Sequence, residues 1–387
     1  MVESGGGKPT DMPEPARIRA LFLHRDLPFH GGVAKSFLTY ARHRDPRRVE
    51  MWAGSFLEPA PEMTTFLAEA DAKVAKFGDN GYLQPAYQLR RFIAGHDLDV
   101  VICGSFKSYL VAKLASPWTS CRVIFWMPSI PLFILGRARQ WLYRHLARKD
   151  TLVFISEAVK QAHVFPGHQG ESPVVYYGIE DPLDQDDMKP YPADKRAEFG
   201  LPGDAFLLAY TAEFIAWKDH NTLLKAFAKL ATQHPKLHLV LIGVGEILEA
   251  CRRRTKGGPH ADRVHFLGAR TDARRILGFV DLYVHPSRGE GLGLAVVEAM
   301  LAGVPVIVTN EGAFPEYVTD GVTGLMFPGG DASALVARIA ELIHDRTRAA
   351  RLGKTGREHC LKMFSPARFA DEMTSVLEKE AARRLHR

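Results

Sequence analysis

Cysteine is scarce in this sequence, and each one stands alone. Cys103, Cys121, Cys251 and Cys360 are the four in 387 residues, and none forms a C-x-x-C pair. Such spacing argues against a disulfide framework or a structural zinc site and fits a reducing cytosol. Long apolar runs are missing too: nothing approaches the roughly 20 residues that span a bilayer. The opening stretch MVESGGGKPTDMPEPAR is polar and rich in Gly and Pro, without the apolar segment of a secretory signal. Residues 1–16 are therefore expected to be a disordered leader. Neither sign of charge dominates: 50 Lys and Arg stand against 44 Asp and Glu, giving +6 and a pI near 9.0. That mild excess suits an anionic substrate or an anionic membrane surface, and equally a basic protein with neither. Nothing in it points to nucleic acid. A D-x-D suited to holding a metal beside a nucleotide is also lacking, since DQDD at 184–187 reads as solvated linker.

What the sequence has is alternation. With 46% hydrophobic residues, the chain is too long for one ordinary core and suits two domains. Short apolar runs such as IRALFLH, DVVICG, RVIFWM and TLVFIS alternate with helical patterns up to PVVYYGIE. The acidic, Pro-containing stretch DPLDQDDMKPYPADKRAEFG then reads as a linker. Alternation restarts with AFLLAYTA, LHLVLIG, RVHFLG, DLYVHPS and VPVIVT. This spacing implies parallel sheets with right-handed crossovers, hence two doubly wound α/β domains facing across a cleft. The expected boundaries are 17–182 for the first domain, 183–200 for the linker and 201–365 for the second. A C-terminal helix over 366–387, begun by Pro366, is expected to pack back on the first domain.

One stretch carries chemistry. HPSRGEGLGLAVVEAM runs from His285 to Met300, so a Gly-rich turn opens a helix at the carboxyl end of a strand. Gly291 and Gly293 permit close backbone approach, and free N–H groups there can hold a phosphate. Glu290 in that turn would repel the same phosphate, so it suits the hydroxyls of an attached neutral group such as a sugar. Glu298, on the helix, suits the hydroxyls of a ribose. Taken alone, the two glutamates are read as readily as a first-turn acid favoured by the helix dipole and a solvated helix residue.

The surrounding residues decide it. PSRGEGLGLAVVEAMLAGVPVIVTNEGAFPEYVTDGVTGLMFPGGD, together with WKDHNTLLKAFAKL, LVLIGVGEILEACRRR and VHFLGARTD, resembles the retaining GT-B glycosyltransferases of the large family-four group. Their hallmark is Glu, seven residues, Glu. HGGVAKSFLTYARH, FISEAVK and YGIE resemble the family's first-half motifs, and the likeness extends over about residues 17 to 375. It implies a GT-B fold whose second domain binds a nucleotide diphosphosugar. Glu290 would hold the transferred sugar and Glu298 the ribose. Backbone amides of Gly291, Leu292, Gly293 and Leu294 would take the distal phosphate. Lys218 would be the phosphate-binding lysine, with positive potential added by the helix it precedes. Gly31 and Gly32 would form a loop near diphosphate and acceptor. Glu316 matches a family glutamate, and local capping explains it equally well.

Two departures stand out. Where the family has an arginine five residues before the lysine, this chain has Glu213. Arg288 and Arg270 are the candidate replacements, and Arg288 is favoured because it adjoins the phosphate turn. The family's histidine after the strand RVIFW is also missing, leaving Trp126 or Met127 near that place.

The implied activity is that of a retaining hexosyltransferase-type enzyme acting on a glycan, lipid-linked or other hydroxyl acceptor, in cell-surface polysaccharide or glycolipid synthesis. It is expected to need no metal and no cofactor. The alternative is a degenerate sugar-nucleotide-binding subunit of a glycan-synthesis complex. An epimerase or phosphorylase on the same scaffold is a further reading, with nothing in the chain to hold pyridoxal phosphate. The expected place is the cytoplasm. Residues 130–149 interleave Trp141, Leu142, Tyr143 and Leu146 with Arg137, Arg139, Arg144, Arg148 and Lys149. That pattern suits a helix lying on an anionic inner membrane face, or a sheet-covering helix with a basic outer side.

Overall fold

The computed structural model describes residues 17–27, 32–117, 119–127, 137–186 and 188–384. Two six-stranded sheets form, one from each half of the chain. The first contains β1 (Ile18–His24), β2 (Val49–Ser55), β3 (Ala72–Lys76), β4 (Val100–Cys103), β5 (Arg122–Met127) and β6 (Thr151–Phe154), in the order β3-β2-β1-β4-β5-β6. The second contains β7 (Phe206–Thr211), β8 (Leu237–Ile242), β9 (Val264–Gly268), β10 (Leu282–His285), β11 (Val306–Thr309) and β12 (Leu325–Phe327), in the order β12-β11-β10-β7-β8-β9. Every recorded pairing between these strands is parallel. Parallel strands need helical crossovers, which cover both faces, so the central strands are apolar along their length rather than alternating. VVIC, LYVH and VIVT are buried at every position.

Contacts divide the chain into two compact units: Met1–Pro28, Ala41–Val123 and Met373–Arg387, against Phe29–Tyr40 and Ile124–Glu372. The division follows packing rather than sheet membership. In the second unit, the β5 residue Trp126 packs on Tyr177 at 5.5 Å and Phe369 at 6.0 Å between ring centroids. In the first unit, the end of the helix Pro366–Arg384 returns to β1–β4 and their neighbours. Arg122 meets Glu380 at 3.1 Å, Arg48 meets Glu378 at 2.7 Å, and Arg384 pairs with Asp97 and Asp99. Met373 and Leu377 are buried on the same helix.

The described residues of the linker 183–200 are exposed or half-exposed, yet the segment is anchored by hydrogen bonds. Residues Ala193–Phe199 form a 3-10 helix, and Tyr191 N–H donates to the Arg275 carbonyl at 2.7 Å. Arg196 explains the anchoring: its guanidinium donates to the carbonyls of Phe279 and Ala205 and to Asp281. A cation that satisfies several buried carbonyls holds a polar segment down without apolar burial.

Candidate active site

The site is built on the chain's passage from β10 into the helix Leu294–Leu301. His285 ends β10, and the turn 286–293 leads into the helix. Gly293 is the helix N-cap with φ 76 and ψ 58, and no side chain caps it. That left-handed backbone is costly for any residue with a Cβ. A Cβ here would also stand 2.6 Å from Phe314 Cε1. The turn is tied by its carbonyls: Ser156 Oγ donates to Gly291 O at 2.5 Å and Tyr317 Oη to Leu292 O at 2.7 Å. Fixing those peptide planes from the carbonyl side leaves the uncapped amides of the helix start as anion donors. Gly31 lies outside the described residues, and Gly32 opens the helix Gly32–His43.

Glu290 is buried, at 6% exposure, and ionised. His285 Nε2 lies 2.9 Å from Glu290 Oε1, and Lys218 Nζ pairs with the same oxygen. Burial opposes the charge, but the His285 hydrogen bond and the Lys218 ammonium outweigh it and hold the carboxyl at about 2. Lys218 Nζ also sits 4.2 Å from the centre of the Trp217 ring. So Lys218 and Glu290, brought from 72 positions apart, form one largely buried ion pair.

Lys218 differs from expectation in one respect. The helix after it, His220–Ala231, is capped by Asp219, whose Oδ1 accepts from Thr222 N–H at 3.2 Å. An anionic cap occupies that helix start, so its positive end is not open to a ligand in the way the start of Leu294–Leu301 is.

Glu298 lies one turn along its helix and is held by a residue that sequence reasoning missed. Arg274 donates to Glu298 Oε1 from Nε at 2.6 Å, and its Nη2 lies 2.5 Å from the same oxygen as an ion pair. Arg274 follows the VHFLGARTD motif, but only tertiary folding sets it against a helix 24 positions on. His285 was missed as well, although a histidine ending an apolar strand five residues before a glutamate was a visible signal. Glu298, Arg274 and Ile179, Glu180, Pro182 and Leu301 line a small cavity.

The two candidate cations for position 213 are placed differently. Arg270 is clamped to Asp272 by hydrogen bonds of 2.7 and 2.9 Å and lies 4.8 Å over the Phe199 ring. Arg288 is more than half exposed, with Glu311 at 3.6 Å as its ionic neighbour. Glu213 itself is exposed on the loop after β7. Trp126 and Met127 are buried in β5, at 2% and 5% exposure, so neither is presented to a ligand. Glu316 caps a helix: its carboxylate accepts from Glu157 N–H at 2.8 Å and Ala158 N–H at 2.7 Å, and from Tyr176 Oη at 2.6 Å. Among the described residues no cluster of three or more His, Cys, Asp or Glu is arranged to hold a metal ion, and no helix is long and apolar enough to cross a membrane.

Comparison with known proteins bears on the family likeness and the fold. Residues 193–359 match the family described as Glycosyl transferases group 1. The lipopolysaccharide core biosynthesis glycosyltransferase LpsE of Rhizobium meliloti is 30% identical over 182 residues, 47% of this chain and 52% of that protein. The GDP-mannose-dependent alpha-(1-6)-phosphatidylinositol monomannoside mannosyltransferase of Mycobacterium tuberculosis is 28% identical over 263 residues, 65% of this chain and 67% of that one. In the first of these matches the chain spans about half the length of the curated relatives. The crystal structure of Anabaena HepE in complex with UDP superposes with a TM-score of 0.81, covering 94% of this chain and 100% of that chain at 21% identity. At that identity the likeness speaks to the fold: two parallel-sheet α/β domains of the GT-B kind. Over its residues 193–359, the chain is similar to the group 1 glycosyl transferases.

Proposed function

We propose that the chain is a retaining hexosyltransferase-type enzyme that moves a sugar from a nucleotide diphosphosugar to an acceptor hydroxyl. One observation carries the reading. A buried, ionised Glu290 sits on the same turn as the uncapped start of Leu294–Leu301, with Lys218 beside it and Glu298 on the helix. The helix start and Lys218 take the diphosphate, Glu290 the sugar hydroxyls and Glu298 the ribose. As the anomeric C–O bond breaks, negative charge grows on the leaving diphosphate, and N–H donors and cations stabilise it most at that moment. The acceptor oxygen bonds to the anomeric carbon on the leaving-group face, and its proton passes to a diphosphate oxygen. The charge on Lys218 and the helix start serves in place of a metal, and no cofactor takes part.

The printed names of LpsE and of the mycobacterial mannosyltransferase support a lipopolysaccharide or glycolipid acceptor. The HepE complex with UDP supports a nucleotide donor. A peripheral place on the inner membrane face is part of the reading. On the helix Arg137–Leu146, Trp141 is 67% exposed beside exposed Arg144, while Tyr143 turns inward. A thermal-shift screen against UDP, GDP and ADP sugars identifies the donor. Turnover in EDTA tests metal independence, and an inverted product anomer in the proton NMR spectrum refutes retention.

Glu213 favours a second reading, a sugar-nucleotide-binding subunit without turnover. An exposed carboxylate stands where the family has an arginine, and Lys218 is already engaged by Glu290. Donor hydrolysis by the purified protein separates the two readings, since a pure binder shows none.

A further inference from the structure

Glu290 has two oxygens, and the fold uses one. Lys218 and His285 both meet Oε1, while Oε2 makes no hydrogen bond among the described residues. The histidine is itself held from behind. His285 Nδ1 lies 3.2 Å from Tyr283 Oη, which stands 3.2 Å from both the N–H and the carbonyl of Thr211. The ring edge of His285 packs against Tyr210 at 5.0 Å and Phe314 at 5.3 Å. The side chains of Tyr210, Tyr283, His285 and Phe314 are buried, His285 at 1% exposure.

The hydrogen bonds settle the tautomer. A carboxylate only accepts, so Nε2 of His285 carries the proton that Glu290 Oε1 receives. Burial holds His285 below its ordinary value against the pull of Glu290, so the ring is neutral and Nδ1 is bare. The Tyr283 hydroxyl hydrogen then turns to Nδ1, and its oxygen still accepts from Thr211 N–H. The other groups facing this pair do not compete. His220 is pushed down to about 3 by burial, then by His285 and Lys218, and burial raises the Tyr210 and Tyr283 phenols.

We propose that His285 is a positioning residue for Glu290, locking the carboxylate by Oε1 so that Oε2 is presented to the donor sugar. The relay runs Thr211–Tyr283–His285–Glu290, from the end of β7 through β10 to the turn. It rests on the transferase reading for the identity of what Oε2 meets. A lysine alone would not fix the plane of a carboxylate, because an ammonium is a rotatable point charge. An imidazole N–H, itself held at the far nitrogen, is directional.

The test uses the full chain with His285→Phe, which keeps the ring's packing but donates nothing, and His285→Gln, which restores a donor. The Glu290 carboxyl is followed by NMR of carbon-13 glutamate while nucleotide affinity and donor turnover are measured. In the wild type Glu290 stays ionised down to pH 3. In His285→Phe its midpoint is expected to rise by one unit or more, into the range between pH 3 and 5. The UDP or GDP affinity stays within about twofold, because the nucleotide does not meet Glu290. Turnover falls about 10- to 100-fold, the value of one hydrogen bond to a charged group, with its acid limb displaced upward. His285→Gln recovers most of both. An unmoved Glu290 midpoint overturns the proposal, as does a parallel loss of nucleotide affinity and turnover, which marks a merely structural role. Should His285→Phe fail to fold, Tyr283→Phe removes the hydroxyl that sets the tautomer, and it too must raise the Glu290 midpoint. If the wild type turns over no donor, the transferase reading falls while the titration still decides the role of His285.

Discussion

Glu290 makes stability depend on acid in a window that follows from its surroundings. Its carboxyl is held at about 2 in the folded chain against an ordinary value of 4.5. A depressed carboxyl contributes stability that is complete above the unfolded value and is lost as pH falls through the folded one. A carboxyl held that far down contributes on the order of a few kcal/mol at neutral pH. The same linkage leaves progressively less as pH falls below the ordinary carboxyl value. The group is almost wholly buried, so solvent screening takes little from this figure. Glu290→Gln removes the titration while its amide oxygen still accepts from His285. Urea unfolding of wild type and variant at pH 7, 5, 4 and 3, followed by tryptophan fluorescence, gives the difference directly. It should be largest at pH 7 and 5 and shrink steadily below pH 4.5. Two parallel curves between pH 5 and 3 would mean that Lys218 and His285 do not hold the charge, and the site's electrostatics as described would be wrong.

Gly293→Ala should destabilise the chain by about 2–5 kcal/mol, combining a left-handed alanine with overpacking on buried Phe314; an unchanged melting temperature in calorimetry refutes that reading of the turn. Glu316→Ala exposes the start of the helix Glu157–His163 and strips Tyr176 of its acceptor, so a loss of about 1–3 kcal/mol is expected in urea unfolding. Arg270→Ala should leave donor turnover within about twofold because Asp272 already claims that guanidinium, whereas Arg288→Ala should lower it several-fold by removing a charge next to the phosphate turn. Steady-state kinetics on the two variants test whether Arg288 replaces the cation absent at 213.

The sheets were legible in the sequence because buried parallel strands are continuous apolar runs, and IRALFLH, DLYVHPS and VPVIVT can hardly be anything else. The Gly-rich turn and its two glutamates were legible because they are contiguous. Their partners were not. His285 reads as one more buried strand residue until its ring nitrogen is seen against Glu290, and Arg274 meets Glu298 only once the short helix Ala273–Ile276 has packed against Leu294–Leu301. Capping by Glu316 joins segments about 160 positions apart, which no local pattern encodes. The linker's anchoring was not legible for a related reason. Its acidic composition predicts solvation, and the segment is exposed, but Arg196 also fastens it to backbone carbonyls of distant segments.

The first unit is assembled from both ends of the chain. β1 to β4 leave the ribosome early, yet the helix that supplies Met373, Leu377, Glu378, Glu380 and Arg384 to them is made only after the second sheet. Domains ordinarily fold as they emerge, N-terminal first. Here Arg122, Arg48 and the pair Asp97 and Asp99 must wait for their partners through the synthesis of the entire second sheet. Completion of the first unit therefore waits on residues 373–384, and a chain cut short before residue 373 leaves that unit without the helix that closes it.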